Sequence, residues 1–236
     1  MRIPAFFCKT QLYFLAFFLF GCTQVSQSSF EGPSGPPEES YCTLRQNFAS
    51  PNTITGTAVY KKRTFTNCGL GPVDATDYPI RFAEVQVLDG SNNIVQCAET
   101  DANGDFSVDL PNDNNTYTIH VNSRSFNTHN KASVLQSPYT NIYYSLSQNF
   151  VSDSSKALAT MTAEADENIS PQMLGGAFNI LDDLYKGNEF LLANAASFTV
   201  GAKIQAYWAK GINPSTFFGG DGNDGVSFYI PHTNTL

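Results

Sequence analysis

The sequence predicts a mainly β fold, an antiparallel β-sandwich followed by a small, incomplete α+β segment. Three observations carry the sandwich. Between Pro79 and Val121 apolar residues alternate with polar ones in three runs: Ala83, Val85 and Val87; Phe106, Val108 and Leu110; Tyr117, Ile119 and Val121. That is the period of a strand with one face buried and the other in water, so Glu84, Gln86, Ser107, Asp109, Thr118 and His120 are assigned to solvent. Asp89-Gly90, Asn103-Gly104 and the run Pro111 to Asn115 separate the strands with residues suited to tight turns. The strands are also short and closely spaced, as in sandwiches.

In chain order, Met1 to Gly21 reads as a targeting segment outside the fold. Arg2 and Lys9 give it a positive start, and its apolar run Leu12 to Phe20 is too short to span a bilayer as a helix. The run ends in Leu19-Phe20-Gly21-Cys22, which resembles the lipobox of bacterial lipoproteins. That resemblance implies cleavage before Cys22 and a lipid on its sulfur. Removing residues 1–21 takes two cations and no acids, shifting the formal net charge from −8 to −10. With no clustered basic face, nucleic acid is excluded as a partner. Residues 22–50 read as a lipidated tether: they are rich in Ser and Gln, then carry Gly32, Pro33, Gly35, Pro36 and Pro37, with almost nothing to bury.

Cys42, Cys68 and Cys97 remain in the exported part, an odd number. One disulfide is the expected outcome. Cys68–Cys97 is the preferred pair, because Cys68 sits in a loop at 61–78 that can fold back on the sheet. A zinc site is disfavoured by the scattered spacing.

The sandwich domain is assigned to 51–165. Thr53 to Tyr60 is its first strand, and weaker strands are expected at 141–146 and 156–163. Tyr143-Tyr144 is either an aromatic platform for sugar or a pair with one ring buried and one exposed. From 166 to 236 the pattern changes to an α+β segment. Ser170-Pro171 suits a helix start. Leu174, Ala177, Phe178, Leu181, Leu184 and Tyr185 then recur at three and four, with Asp182, Asp183 and Lys186 off that face and the end near Asn194. Strands are expected at 202–208 and 226–230.

Two stretches bear family resemblances. Glu99-Thr100-Asp101-Ala102-Asn103-Gly104-Asp105-Phe106, followed by Leu110-Pro111 and Tyr117-Thr118-Ile119, with Gly56 and Val59 upstream, looks like the carboxypeptidase regulatory-like, transthyretin-like sandwich over about 53–122. Such modules ride beside exported enzymes or extend surface proteins. The helix GGAFNILDDLYKGNEFL with KIQAYWAKG and GVSFYIP resembles the stretch preceding the H-E-x-x-H motif of exported bacterial zinc metallopeptidases. No such motif stands before Leu236, so that resemblance implies no catalytic residue here.

Other chemical signals are weak. His120, His129 and His232 have no ligand spacing among them. Gly219 to Ser227 fits a calcium-binding β-roll nonapeptide, but as one copy of a repeat that must stack. Asp101, Asn103 and Asp105 alternate like an EF-hand start, yet Asn112 occupies the twelfth position, so a hairpin turn is the better account. The expected protein is a lipid-anchored bacterial envelope or surface protein. It carries a binding or spacer module with no cofactor, no metal and no catalytic site of its own. Its partners are the membrane and a protein or carbohydrate ligand. A remnant of a zinc metallopeptidase, and an adhesin, are the alternatives.

Overall fold

The spine of the fold is a long strand, β1 (Pro51–Tyr60), which takes in the expected first strand. The computed structural model describes residues 40–66, 69–137, 140–201 and 203–209. The targeting segment and the strand expected at 226–230 lie outside them. β1 pairs antiparallel with β7 (Asp105–Pro111), from Pro51 opposite Pro111 to Thr57 opposite Asp105. β4 (Tyr78–Pro79) also joins β1 antiparallel. β13 (Lys156–Ala157) and β14 (Met161–Ala163) return alongside β1 in the parallel sense. The sheet is therefore mixed rather than purely antiparallel, because the chain crosses over before it returns to β1.

The second layer runs β12 (Ser145–Val151), β8 (Thr116–Asn122), β5 (Glu84–Leu88) and β6 (Ile94–Glu99), all antiparallel. Ile54, Ala58, Phe106, Val108 and Leu110 from the first sheet and Val85, Val87, Tyr117, Ile119 and Val121 from the second belong to one buried cluster. The period-two reading thus chose the inward residues of β5, β7 and β8 correctly. Gly104 closes the turn between β6 and β7 at φ +82, where a Cβ would stand 2.4 Å from the Ala58 carbonyl oxygen, so both backbone angle and space demand glycine there.

A third sheet is built on β10 (Lys131–Ser137). It pairs antiparallel with β9 (Arg124–Phe126) and β11 (Thr140–Tyr143), and parallel with β15 (Ile204–Tyr207). β2 (Arg63–Thr66) and β3 (Gly69–Val73) form a separate two-stranded hairpin.

The helix α1 (Leu174–Asn194) ends where the periodicity placed it but starts after Ser170-Pro171. Residues 166–173 are spent in turns, and Met173 adopts φ 48 immediately before the helix. The Ser170 hydroxyl still accepts an early N–H, that of Leu174, at 3.3 Å. Gly175 lets the helix start lie against the strands: a Cβ there would meet the Lys61 carbonyl oxygen at 2.3 Å.

The expected boundary at 165/166 is not a break in packing. Ala177, Phe178 and Leu181 of α1 share the sandwich's buried cluster, and β15 extends the third sheet. The helix therefore does not form a separate, marginal unit. Replacing Phe178 by Ala is expected to cost about 3–5 kcal/mol, with the whole described core lost in one denaturant transition. A sandwich transition unmoved by the substitution would show that the helix stands apart.

Candidate functional site

β5 is buried on both faces, which single-residue alternation does not anticipate. Val85 and Val87 point to the core, but Glu84 and Gln86 on the opposite face are buried too. Their cover comes from residues 40–46 and from Arg124. The Arg124 guanidinium holds the Glu84 carboxylate through two donors, Nε to Oε2 at 2.5 Å and Nη2 to Oε1 at 2.7 Å, and both side chains are 0 % exposed. Asn122 and Gln86 donate to the same carboxylate at 2.9 and 3.1 Å. The Tyr41 ring lies 5.2 Å and the Tyr143 ring 4.5 Å from the guanidinium carbon, aromatic neighbours that suit a cation withdrawn from water. Burial alone would lower the arginine's pKa, and the hydrogen bond and charge of Glu84 raise it instead. Burial, then the Glu84 charge, push the Tyr41 phenol up.

That cluster fixes a strap. Cys42 donates its backbone N–H to Glu84 at 2.7 Å, and Arg124 reaches the Ser40 carbonyl at 3.3 Å. Cys97 of β6 donates its N–H to Leu44 at 3.0 Å. Gln46 and Gln96 exchange two hydrogen bonds, at 2.9 and 3.1 Å. Cys42 and Cys97 are joined by a disulfide, with their Cα atoms 5.9 Å apart. Residues 40–46 of the expected tether are therefore part of the folded domain, laid along the edge of β6.

The disulfide corrects the Cys68–Cys97 expectation. Cys97 has one sulfur, and the strap brings Cys42 to it; Cys68 lies outside the described residues, as does Cys22. Distance from the sandwich in sequence was a poor guide, because the extended strap runs beside β6.

A second buried cluster pins α1. Asp182, expected off the apolar face of the helix, is 3 % exposed. It accepts from the Tyr60 hydroxyl at 2.7 Å and from Arg81 Nε at 2.7 Å, and pairs with Lys186 Nζ at 2.6 Å. Burial would lower the Lys186 pKa, but the hydrogen bond and charge of Asp182 hold it above the ordinary value. The same carboxylate, after burial, pushes the Tyr60 phenol up. One signal was available: Asp182 lies four residues after Phe178 and three before Tyr185, inside the apolar arc of the helix. Next to it, Phe82 adopts φ 54 and stacks on His129 at 4.8 Å, and His129 Nδ1 meets Glu189 at 2.9 Å.

The remaining candidates separate. His120 is half-buried on β8, where burial lowers its pKa, so its assignment to solvent holds only in part. Tyr144 is buried with its hydroxyl on the Trp208 carbonyl, and Tyr143 lies over Arg124, so the pair makes no exposed platform. Asp101 accepts backbone N–H bonds from Asn103 and Asp105 at 2.7 and 2.9 Å, the hairpin turn expected. Among the described residues no group of three or more His, Cys, Asp or Glu side chains is placed to hold a metal ion. His232 and the run 219–227 lie outside them. No family model matches the chain, and no curated protein is similar enough to match it.

With Arg124 paired to Glu84 and both side chains buried, the strap cluster presents neither charge to solvent. It can hold two chain segments together. Arg124→Met alone leaves a buried carboxylate without its counter-charge and is expected to cost about 3–5 kcal/mol. Adding Glu84→Gln is expected to restore a large part of that loss in the same denaturation measurement. Equal stability of the single variant and the unsubstituted chain would mean that the pair does not hold the strap.

Proposed function

We propose that the protein is a lipid-anchored component of a bacterial envelope or surface, with a β-sandwich domain that serves as a binding or spacer module. We assign no reaction to it. The observation that carries this reading is the strap. A chain that only leads into a domain needs no covalent staple, whereas a chain that transmits pull from an anchor benefits from one. The staple at Cys42 passes load on the tether directly to β6, and the buried Glu84–Arg124 pair holds the residues just before it. The Leu19-Phe20-Gly21-Cys22 sequence supplies the anchor, and residues 23–39, rich in Ser, Gln, Gly and Pro, join it to the strap. Each acyl methylene buried in the bilayer contributes about 0.8 kcal/mol, so two or more chains on Cys22 would hold the protein stably.

Cys22→Ser tests the anchor. The variant is expected to lose incorporation of a radiolabelled fatty acid and to be washed from the membrane fraction by salt, while keeping the Cys42–Cys97 bond and the folded core. Undiminished label and membrane association in the variant would refute the reading.

A further inference from the structure

The hairpin of β2 and β3 pairs with no other described strand. Phe65 near its tip is 85 % exposed, well above the 67 % of Ile169, the next most exposed large apolar side chain described, and the register sets Leu70 opposite it. A lone two-stranded hairpin is marginal in water, and an aromatic ring at its end adds apolar surface with nothing to cover it. At its root stand Lys61, Lys62 and Arg63, the only place in the sequence where cations are adjacent. Lys61 is bridged to Asp77 at 2.7 Å. Lys62 sits 4.0 Å from the Tyr78 ring centre, and Arg63 Nε donates to the Gly71 carbonyl at 2.9 Å. Asp74 and Asp77 lie in the same segment, so residues 61–77 set three cations against two carboxylates, a formal +1 in a chain of formal charge −8.

Position adds the second argument. β1 ends at Tyr60, where Ile80 donates to Ala58 and Lys61 to Ala163, and Asp74 closes the hairpin root on Lys62. β5 begins at Glu84, a few residues beyond Ile80. Arg124 holds the Glu84 carboxylate there and donates in turn to the Ser40 carbonyl. The strap's first described residue and the hairpin root therefore lie at the same end of the sandwich. The end that receives the tether is the end that presents Phe65.

We propose that the β2–β3 hairpin is a membrane contact, placing Phe65 in the interface of an anionic bilayer while the cations at its root face the headgroups. It rests on the anchored reading above, and it turns a domain on a loose tether into one with a set orientation. An aromatic ring at the interface with nearby Lys and Arg combines apolar insertion and charge attraction.

The test places a reporter at the tip. Phe65→Trp in the full acylated protein is read on vesicles of brominated phosphatidylglycerol and phosphatidylcholine, with the unsubstituted protein giving the Trp208 background. The added fluorescence is expected to be quenched, and the quenching to diminish with salt. In the unacylated Cys22→Ser chain, Lys62→Gln is expected to weaken vesicle binding roughly fivefold, and Phe65→Ser to abolish the hairpin's contribution. Absent quenching in a chain that carries the fatty-acid label overturns the proposal, as does equal quenching on purely zwitterionic vesicles. A concentration-dependent blue shift without vesicles also overturns it, because a second copy then covers Phe65. Quenching without fatty-acid label refutes the anchor alone and supports the hairpin contact.

Discussion

A fully buried arginine–carboxylate pair sets the terms for this structure. Removing Glu84 and Arg124 from water costs several kcal/mol per charge, and only near-complete satisfaction by partners offsets it. The structure supplies those partners from four places in the sequence: Tyr41 and the Ser40 carbonyl from the strap, Asn122 from β8, Gln86 from β5 and Tyr143 from β11. The strap must lie where it does, because without it the pair faces solvent on one side and its geometry loosens. The second sheet, the third sheet and the N-terminal approach are thereby tied to one another by a polar contact rather than by apolar burial alone.

Asp182 repeats the logic at lower stakes. Its partners come from β1, from the loop before β5 and from the next turn of α1, so the helix is positioned as well as buried. Apolar faces slide with little penalty, whereas a buried carboxylate accepts few arrangements. The strained backbone of Phe82 beside this cluster costs on the order of 1–3 kcal/mol, which the Arg81 and Asp182 contact helps to hold in place.

What was legible in the sequence follows from range. Inward residues on β7 and β8 and the end of α1 are set by local period, and local period is visible. The two parallel pairings to β1 are not, since nothing within residues 156–163 names the strand they join. Alternation and helical period place polar residues in water, but Glu84 and Asp182 meet partners far along the chain, and Gln86 is buried against Glu84, two residues away. Cys42 was discounted because it lies near the tether in sequence. In the structure the strap runs beside β6, and sequence separation does not report that.

The central claim is that the N-terminal strap is stapled to β6 and carries the load of the tether. Stretching single molecules between the N-terminus and a C-terminal handle, with and without reductant, tests it most directly. The staple hides the chain between Cys42 and Cys97, a separation of 55 residues. Reduction should therefore lengthen the fully unfolded chain by about 200 Å, at roughly 3.6 Å per residue. A gain near half that length would point to Cys68–Cys97 as the bond, and no gain would mean that the strap is not stapled at all. Either result would contradict the account.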